Sequence, residues 1–419
     1  MTSLGLLASL LTLSAAFGVI NARTLRLPNT TGVLVIALLA SLVLVLVDPL
    51  IPSIDLQAWS RGVLSTIDLP KALLDGALSF LLFAGALQVD LRHLWARKLS
   101  VLALALVGTL LAVVLFGGAM WLVFPLLGPP VPLVWCIVLG AILAPTDPVS
   151  VIGMLRRLGL PGPLQAVFAG ESLFNDGVGV VVAGVALGVA TGDGATVGGA
   201  GIIAHFLIEA GGGGLLGLVL GWVAMRFMRA IDDPHLELII SLALATGAFS
   251  LANACGMSGP IAVVVAGLTM GARLSLAAQS QDGHNEILSF WSLIDEVLNA
   301  LLFLLIGFEV LAVAFPRSHV IAVLVAIPLS LAVRAISVLV ATLPVPVPRH
   351  NRGGALVVLT WGGLRGGISV ALALGLPPSD VRPALLAVCY GVVVFTVIVQ
   401  GLTMERVARH FLKGEVEAR

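Results

Sequence analysis

Apolar residues in this chain neither alternate with polar ones nor recur every three or four positions. They run continuously, in stretches near twenty residues long, separated by short polar turns. Thirteen such stretches can be read, at about 3–21, 31–47, 71–89, 100–125, 130–155, 162–190, 199–228, 235–253, 257–274, 286–314, 319–344, 353–375 and 383–404. About 20 apolar residues make a helix that crosses a bilayer, and the longer stretches predict tilt or internal breaks. Strands of a membrane barrel would alternate polar and apolar residues, so the pattern predicts an all-α polytopic protein. Residues 48–70 are mixed and read as an extracellular loop with a surface helix.

Composition narrows the class. Of 419 residues, 59% are hydrophobic and 11% charged, against about 25% charged in an ordinary soluble domain. Mean hydropathy is +1.12. A water-facing surface cannot be built from so few charges, and a disordered chain needs the opposite balance. The 22 basic and 22 acidic residues cancel, so no global charge points to nucleic acid. Alternating the loops of thirteen spans puts sixteen Lys and Arg on one side and four on the other, with Arg334 and Arg365 inside spans. The positive-inside rule then predicts an outside N-terminus and a cytoplasmic C-terminus. The first apolar run has no basic residue before it, so it reads as a first helix and not a cleaved leader. The compact chain suits a bacterial inner membrane. Cys136, Cys255 and Cys389 all fall in spans and form no disulfide framework.

Charges at membrane depth are costly and usually mark ion paths. The deep ones are Asp147, Glu171, Asp176, Arg334 and Arg365, with Glu209, Asp295, Glu296 and Glu309 also inside spans. Asp147 lies between Pro145 and Pro148. Two prolines within four residues should open the helix and free carbonyl oxygens beside the carboxylate. Unwound backbone at that depth is tolerated where it is buried in protein or lines a wet cavity. In the next span Glu171 and Asn175 are spaced i, i+4, as are Ser172 and Asp176, so each pair shares a helix face. Ser172 and Asp176 offer a hydroxyl and a carboxylate to a hard cation. Near the far end, Arg365 sits between Gly362-Gly363 and Gly366-Gly367, and glycines weaken a helix by about 1 kcal/mol each. Arg365 needs a partner, and Glu171 is the expected one. Arg334 reaches either the interface or a neighbouring carboxylate.

The interrupted spans are the fifth and the twelfth. With the seventh as a linker over 199–229, residues 1–190 and 235–412 become two six-span halves, each broken at its fifth span. Breaks at corresponding places in two halves point to an inverted-repeat transporter with its site near the midplane.

At these residues the chain resembles the monovalent cation:proton antiporter-1 family, the sodium/proton exchangers of the NhaP type. The resemblance covers nearly the whole chain. It rests on APTDPV at 144–149, GESLFNDGVGVV at 170–181, SGPIAVVVAGLTMG at 258–271, FWSLIDEVLNALLFLLIGFEVL at 290–311 and TWGGLRGGISVALAL at 360–374. It implies an NhaA-like antiporter fold with discontinuous crossing helices, a homodimer in membrane lipid, and no resident cofactor. It also implies Asp176 as the essential cation- and proton-binding carboxylate and Asp147 as the second acidic group. Thr146 and Ser172 complete the Na+ ligands, and Asn175, Glu171 and Arg365 form a structural polar network in which the ion pair holds the asparagine. Members with Asn-Asp at 175–176 are electroneutral. Some members carry an acidic residue in the third span, where this chain has Ala84.

The mechanism expected from these residues is competition of a proton and Na+, or Li+, for Asp176 with Asp147, followed by alternating access. No G-x-x-x-x-G-K-[ST] loop is present, so no ATP site is expected. A K+/H+ antiporter on the same scaffold is the nearest alternative, since selectivity depends on cavity size. An intramembrane serine protease using Ser258 in Gly256-Met257-Ser258-Gly259 is a remote one. It needs a base, and His205 is the one histidine well inside a span. A passive channel is a third.

Overall fold

The computed structural model describes residues 3–47, 76–128, 130–147, 158, 162–192, 199–230, 233–276, 281–309, 316–344 and 352–412. Among them every regular element is a helix. Helices α1 (Ser3–Arg23), α2 (Asn29–Val47), α3 (Leu78–Leu87), α4 (Leu91–Ala96), α5 (Lys98–Leu127), α6 (Leu133–Ile142) and α7 (Gly162–Thr191) form the first part. They are followed by α8 (Gly199–Met228), α9 (Pro234–Ala254), α10 (Gly259–Leu276), α11 (Gln281–Glu309) and α12 (Arg317–Thr342). The last are α13 (Arg352–Trp361), α14 (Gly367–Leu374) and α15 (Arg382–Phe411). Eight of these are long and apolar enough to cross a membrane, and α2, α3, α6 and α10 carry shorter apolar stretches. Each of the thirteen predicted spans coincides with one or more of them. The short α4 lies between spans three and four. The protein is a multi-pass integral membrane protein. The expected loop helix at 48–70 and the second limb of span five, at 148–155, lie outside the described residues.

Both interruptions are present. After α6 the chain leaves the helix at Leu143 and is non-helical through Asp147. Ala144 precedes Pro145, which disfavours the helical region for it, and Pro145 has no N–H to continue the ladder. Span twelve is broken between α13 and α14, where residues 363–366 are non-helical.

Helices meet closely where side chains are small, as packing within a bilayer favours. A Cβ at Gly213 would lie 2.5 Å from the Ser258 carbonyl oxygen, and one at Gly221 would lie 2.9 Å from Thr269 Cβ, so α8 lies directly on α10. Gly267 brings α10 onto α3 in the same way, with Ala86 Cβ at 2.7 Å. The turn from α9 to α10 needs Gly256, whose φ is +68°, a conformation glycine adopts without steric cost.

The apolar interior falls into two large clusters. One contains Leu173, Trp291, Val338 and Leu364. The other contains Leu302, Val333 and Val370, with Leu187 packed against it. The polar residues lie between them along each helix: Asp176 on α7, Asp295 and Asn299 on α11, Arg334 on α12, and Arg365 in the twelfth-span break. The two breaks thus sit where the two apolar clusters meet.

Candidate ion-binding site

Glu171, Ser172, Asn175 and Asp176 are all buried on α7. The unwound chain after α6 lies against them. Asn175 Nδ2 donates to Thr146 Oγ1 at 2.8 Å, and Thr146 N–H donates to Asn175 Oδ1 at 3.3 Å. The Ser172 hydroxyl lies 2.8 Å from Thr146 Oγ1 and also donates to the Thr146 carbonyl. Every polar group of Thr146 is therefore held by a side chain of α7. This answers the question that a buried stretch of irregular backbone always raises, namely where its hydrogen bonds go.

The two breaks are joined directly. Asp147 N–H donates to the Leu364 carbonyl at 2.8 Å. A Cβ at Gly366 would lie 2.7 Å from Asp147 Cβ, so glycine at 366 makes room for this approach. Gly366 is also the residue before the first turn of α14, and a helix N-terminus favours a neighbouring carboxylate.

The two buried arginines divide the work differently from the expectation. Glu171 pairs with Arg334, Oε1 to Nη1 at 2.5 Å, and not with Arg365. Arg365 instead donates through Nη1 to the carbonyls of Ala144 at 2.6 Å and Pro145 at 3.2 Å. The reason is local. The proline break leaves those carbonyls without helical donors, and they lie within reach of Arg365 across the two breaks. The residue that admits Arg334 is Gly363, where a Cβ would meet Arg334 Nε at 2.6 Å. Arg334 also donates to the Leu359 carbonyl at 3.2 Å, in the last turn of α13. Each guanidinium thus serves the C-terminal end of one half-helix, where a cation is favoured. The glycines around Arg365 are sites of close approach as well as helix breakers. Asn175 is held by Thr146 and not by the ion pair.

A cavity of about 60 Å³ opens between the breaks. Since a water needs roughly 10–15 Å³ of such space, it has room for a small ion with some of its hydration. Thr146, Asp147 and Asp176 line it, with Asp295, Asn299 and Gly366. Asp176 Oδ1 is buried and has no hydrogen-bond partner among the described residues. Ser172 is not on this wall; its hydroxyl is turned to Thr146. The third span contributes Leu81, Leu82 and Gly85 to the wall, while Ala84 is buried in packing.

Asp295 and Asn299 also line the site, although the sequence marks Asp295 only as a charge inside a span. Asn299 Nδ2 donates to Asp295 Oδ1 at 3.0 Å and to its carbonyl at 2.9 Å. Their i, i+4 spacing within an apolar run was the available signal. The protease expectation fails. The Ser258 hydroxyl accepts from Ile261 N–H at 3.3 Å at the start of α10. His205 is 68% exposed on α8, 3.5 Å from Glu209, and among the described residues no hydrogen bond joins it to Ser258.

The sequence family described as the transmembrane sodium/hydrogen exchanger matches residues 10–410 of this chain. The chain belongs to this family. Among relatives, the Na(+)/H(+) antiporter NhaP of Pseudomonas aeruginosa is 40% identical over 420 residues, covering 98% of both chains. The Na(+)/H(+) antiporter NhaH of Halobacillus dabanensis is 35% identical over 332 residues, covering 78% of this chain and 80% of that one. The solved sodium proton antiporter MjNhaP1 of Methanocaldococcus jannaschii superposes with a TM-score of 0.76 over 98% of both chains at 20% identity. The exchanger fold is thus shared at a sequence distance where little beyond architecture is retained. Membership of a transporter family also removes the enzyme reading independently of the Ser258 geometry.

Proposed function

We propose that this exchanger moves Na+ against H+ across the membrane by alternating access, with the two ions competing for Asp176. One observation carries the reading: Asp176 lines a small cavity between two interrupted helices together with Asp147, and its buried Oδ1 has no hydrogen-bond partner among the described residues. Oxygen ligands of this kind suit a hard cation. Asp176, Asp147 and Thr146 contact the ion directly, and Ser172 joins by exchanging its hydrogen bond to Thr146 for the cation. Either a proton or Na+ neutralises Asp176. An empty anionic site would cost several kcal/mol to carry through a dry layer, so the loaded forms are the ones that move, and this couples the fluxes. Asn175, neutral beside Asp176, keeps the charge carried per cycle low enough for electroneutral exchange. Residues 1–190 and 235–412 act as inverted repeats around the 199–229 linker helix, within a homodimer in a bacterial inner membrane whose C-terminus is cytoplasmic.

The test is dequenching of a pH-sensitive dye in everted vesicles, with Na+, Li+ and K+ added separately and an imposed membrane potential as a variable. Na+ should dequench at every imposed potential. Dequenching by K+ alone would transfer the proposal to potassium exchange, and a rate that follows the potential would remove electroneutrality.

A further inference from the structure

A second cavity, of about 950 Å³, lies away from the ion site. It is a groove between α4, α5 and α7 on one wall and α8 and α10 on the other. Leu94, Leu102, Phe174, Met225, Val265 and Leu268 make its apolar lining. Lys98 and Arg229 also line it. Lys98 opens α5, and Arg229 follows the last residue of α8, so both cations sit at helix ends. Neither has an acidic partner among the described residues. Trp95 borders the groove, 69% exposed, with the Lys98 ammonium 4.4 Å from its ring centre. Tryptophan and lysine together are residues of the headgroup level.

We propose that this groove binds one anionic phospholipid, its acyl chains against the apolar walls and its phosphate between Lys98 and Arg229. The size suits a single amphiphile, since ligand pockets run to about 1,000 Å³. Charge decides between lipids. Basic pockets between transmembrane helices select anionic headgroups, whereas a zwitterionic lipid brings its own cation to offset its phosphate beside Lys98 and Arg229. The groove opens beside the packing of α7 on α10, where a Cβ at Gly177 would lie 2.7 Å from Ile261 Cγ1, and Phe174 on its wall adjoins Asn175 and Asp176 in sequence. A bound lipid therefore touches the helix that carries the ion site.

Trp95 provides the readout. The protein is reconstituted with a small fraction of brominated phosphatidylglycerol or brominated phosphatidylcholine, and the signal of the Trp95→Phe variant is subtracted to isolate Trp95. The anionic lipid should quench at a mole fraction lower by on the order of tenfold. The Lys98→Gln/Arg229→Gln double variant should lose that preference while still exchanging ions. The Lys98→Arg/Arg229→Lys variant should keep it. Equal quenching by the two lipids would mean ordinary annular lipid and overturn the proposal. Absence of quenching by either would mean that protein covers the groove, such as a second copy of the chain, and would overturn it equally. So would a preference that survives the double glutamine change.

Discussion

Asp176→Asn should reduce Na+-driven proton movement in proteoliposomes to the level of protein-free vesicles, with folded yield and thermal stability nearly unchanged. The amide is close to the carboxylate in shape, and Oδ1 of Asp176 makes no hydrogen bond among the described residues whose loss would unsettle the packing. What disappears is the negative charge, and the charge performs both tasks. It is the strongest oxygen ligand for the cation and the group that takes the proton. Asp147→Asn should impair exchange less completely. Its backbone N–H holds the two breaks together through Leu364, and that bond survives the substitution. A variant at 176 that still couples Na+ to proton movement would place the exchange chemistry elsewhere in the protein.

Glu171→Gln should be the most destabilising conservative change in the site. Glu171 and Arg334 form an ion pair with side chains only 1% and 8% exposed. Removing one partner leaves the other charged and dry, which costs about 3–5 kcal/mol. This is a large part of a typical folding stability of roughly 5–15 kcal/mol. The measurement is loss of monodisperse protein on heating in detergent. Replacing both residues by apolar ones, Glu171→Leu with Arg334→Met, should recover most of the loss, because no lone charge remains. The same cycle run on Glu171 and Arg365 should give a much smaller coupling, since Arg365 is held by the Ala144 and Pro145 carbonyls. Strong coupling of Glu171 to Arg365 in place of Arg334 would contradict the arrangement described.

These two residues also mark the limit of sequence reading. The spans and both interruptions were legible because their causes are local: continuous apolar runs, Pro145, and glycines on either side of Arg365. The meeting of Asp147 and Asp176 was legible because intramembrane carboxylates have few other places to be, whereas Thr146 entered only through the family resemblance and the Thr146–Asn175 pairing was not legible. The identity of the ion pair was not. Glu171 faces two arginines from different spans, and the choice depends on which backbone carbonyls the proline break frees and which glycine lets a side chain pass. Ser172 and Asp176 do share a helix face as spaced, yet the serine is turned to Thr146 and the aspartate to the cavity. The place of Asp295 was not legible for a related reason. It stands beside Glu296 in the same run, and the sequence does not say which of the two carboxylates faces the breaks, although Asp295 is buried and Glu296 exposed.

Competition at one carboxylate is measured most directly by the apparent KM for Na+ as a function of pH, in proteoliposomes with both sides buffered. If Na+ and H+ exclude each other at Asp176, the KM rises as pH falls, approaching about tenfold per pH unit once the site is mostly protonated, while the maximal rate at saturating Na+ stays level. A KM independent of pH, with the maximal rate alone changing, would mean that protons act at a site separate from the cation.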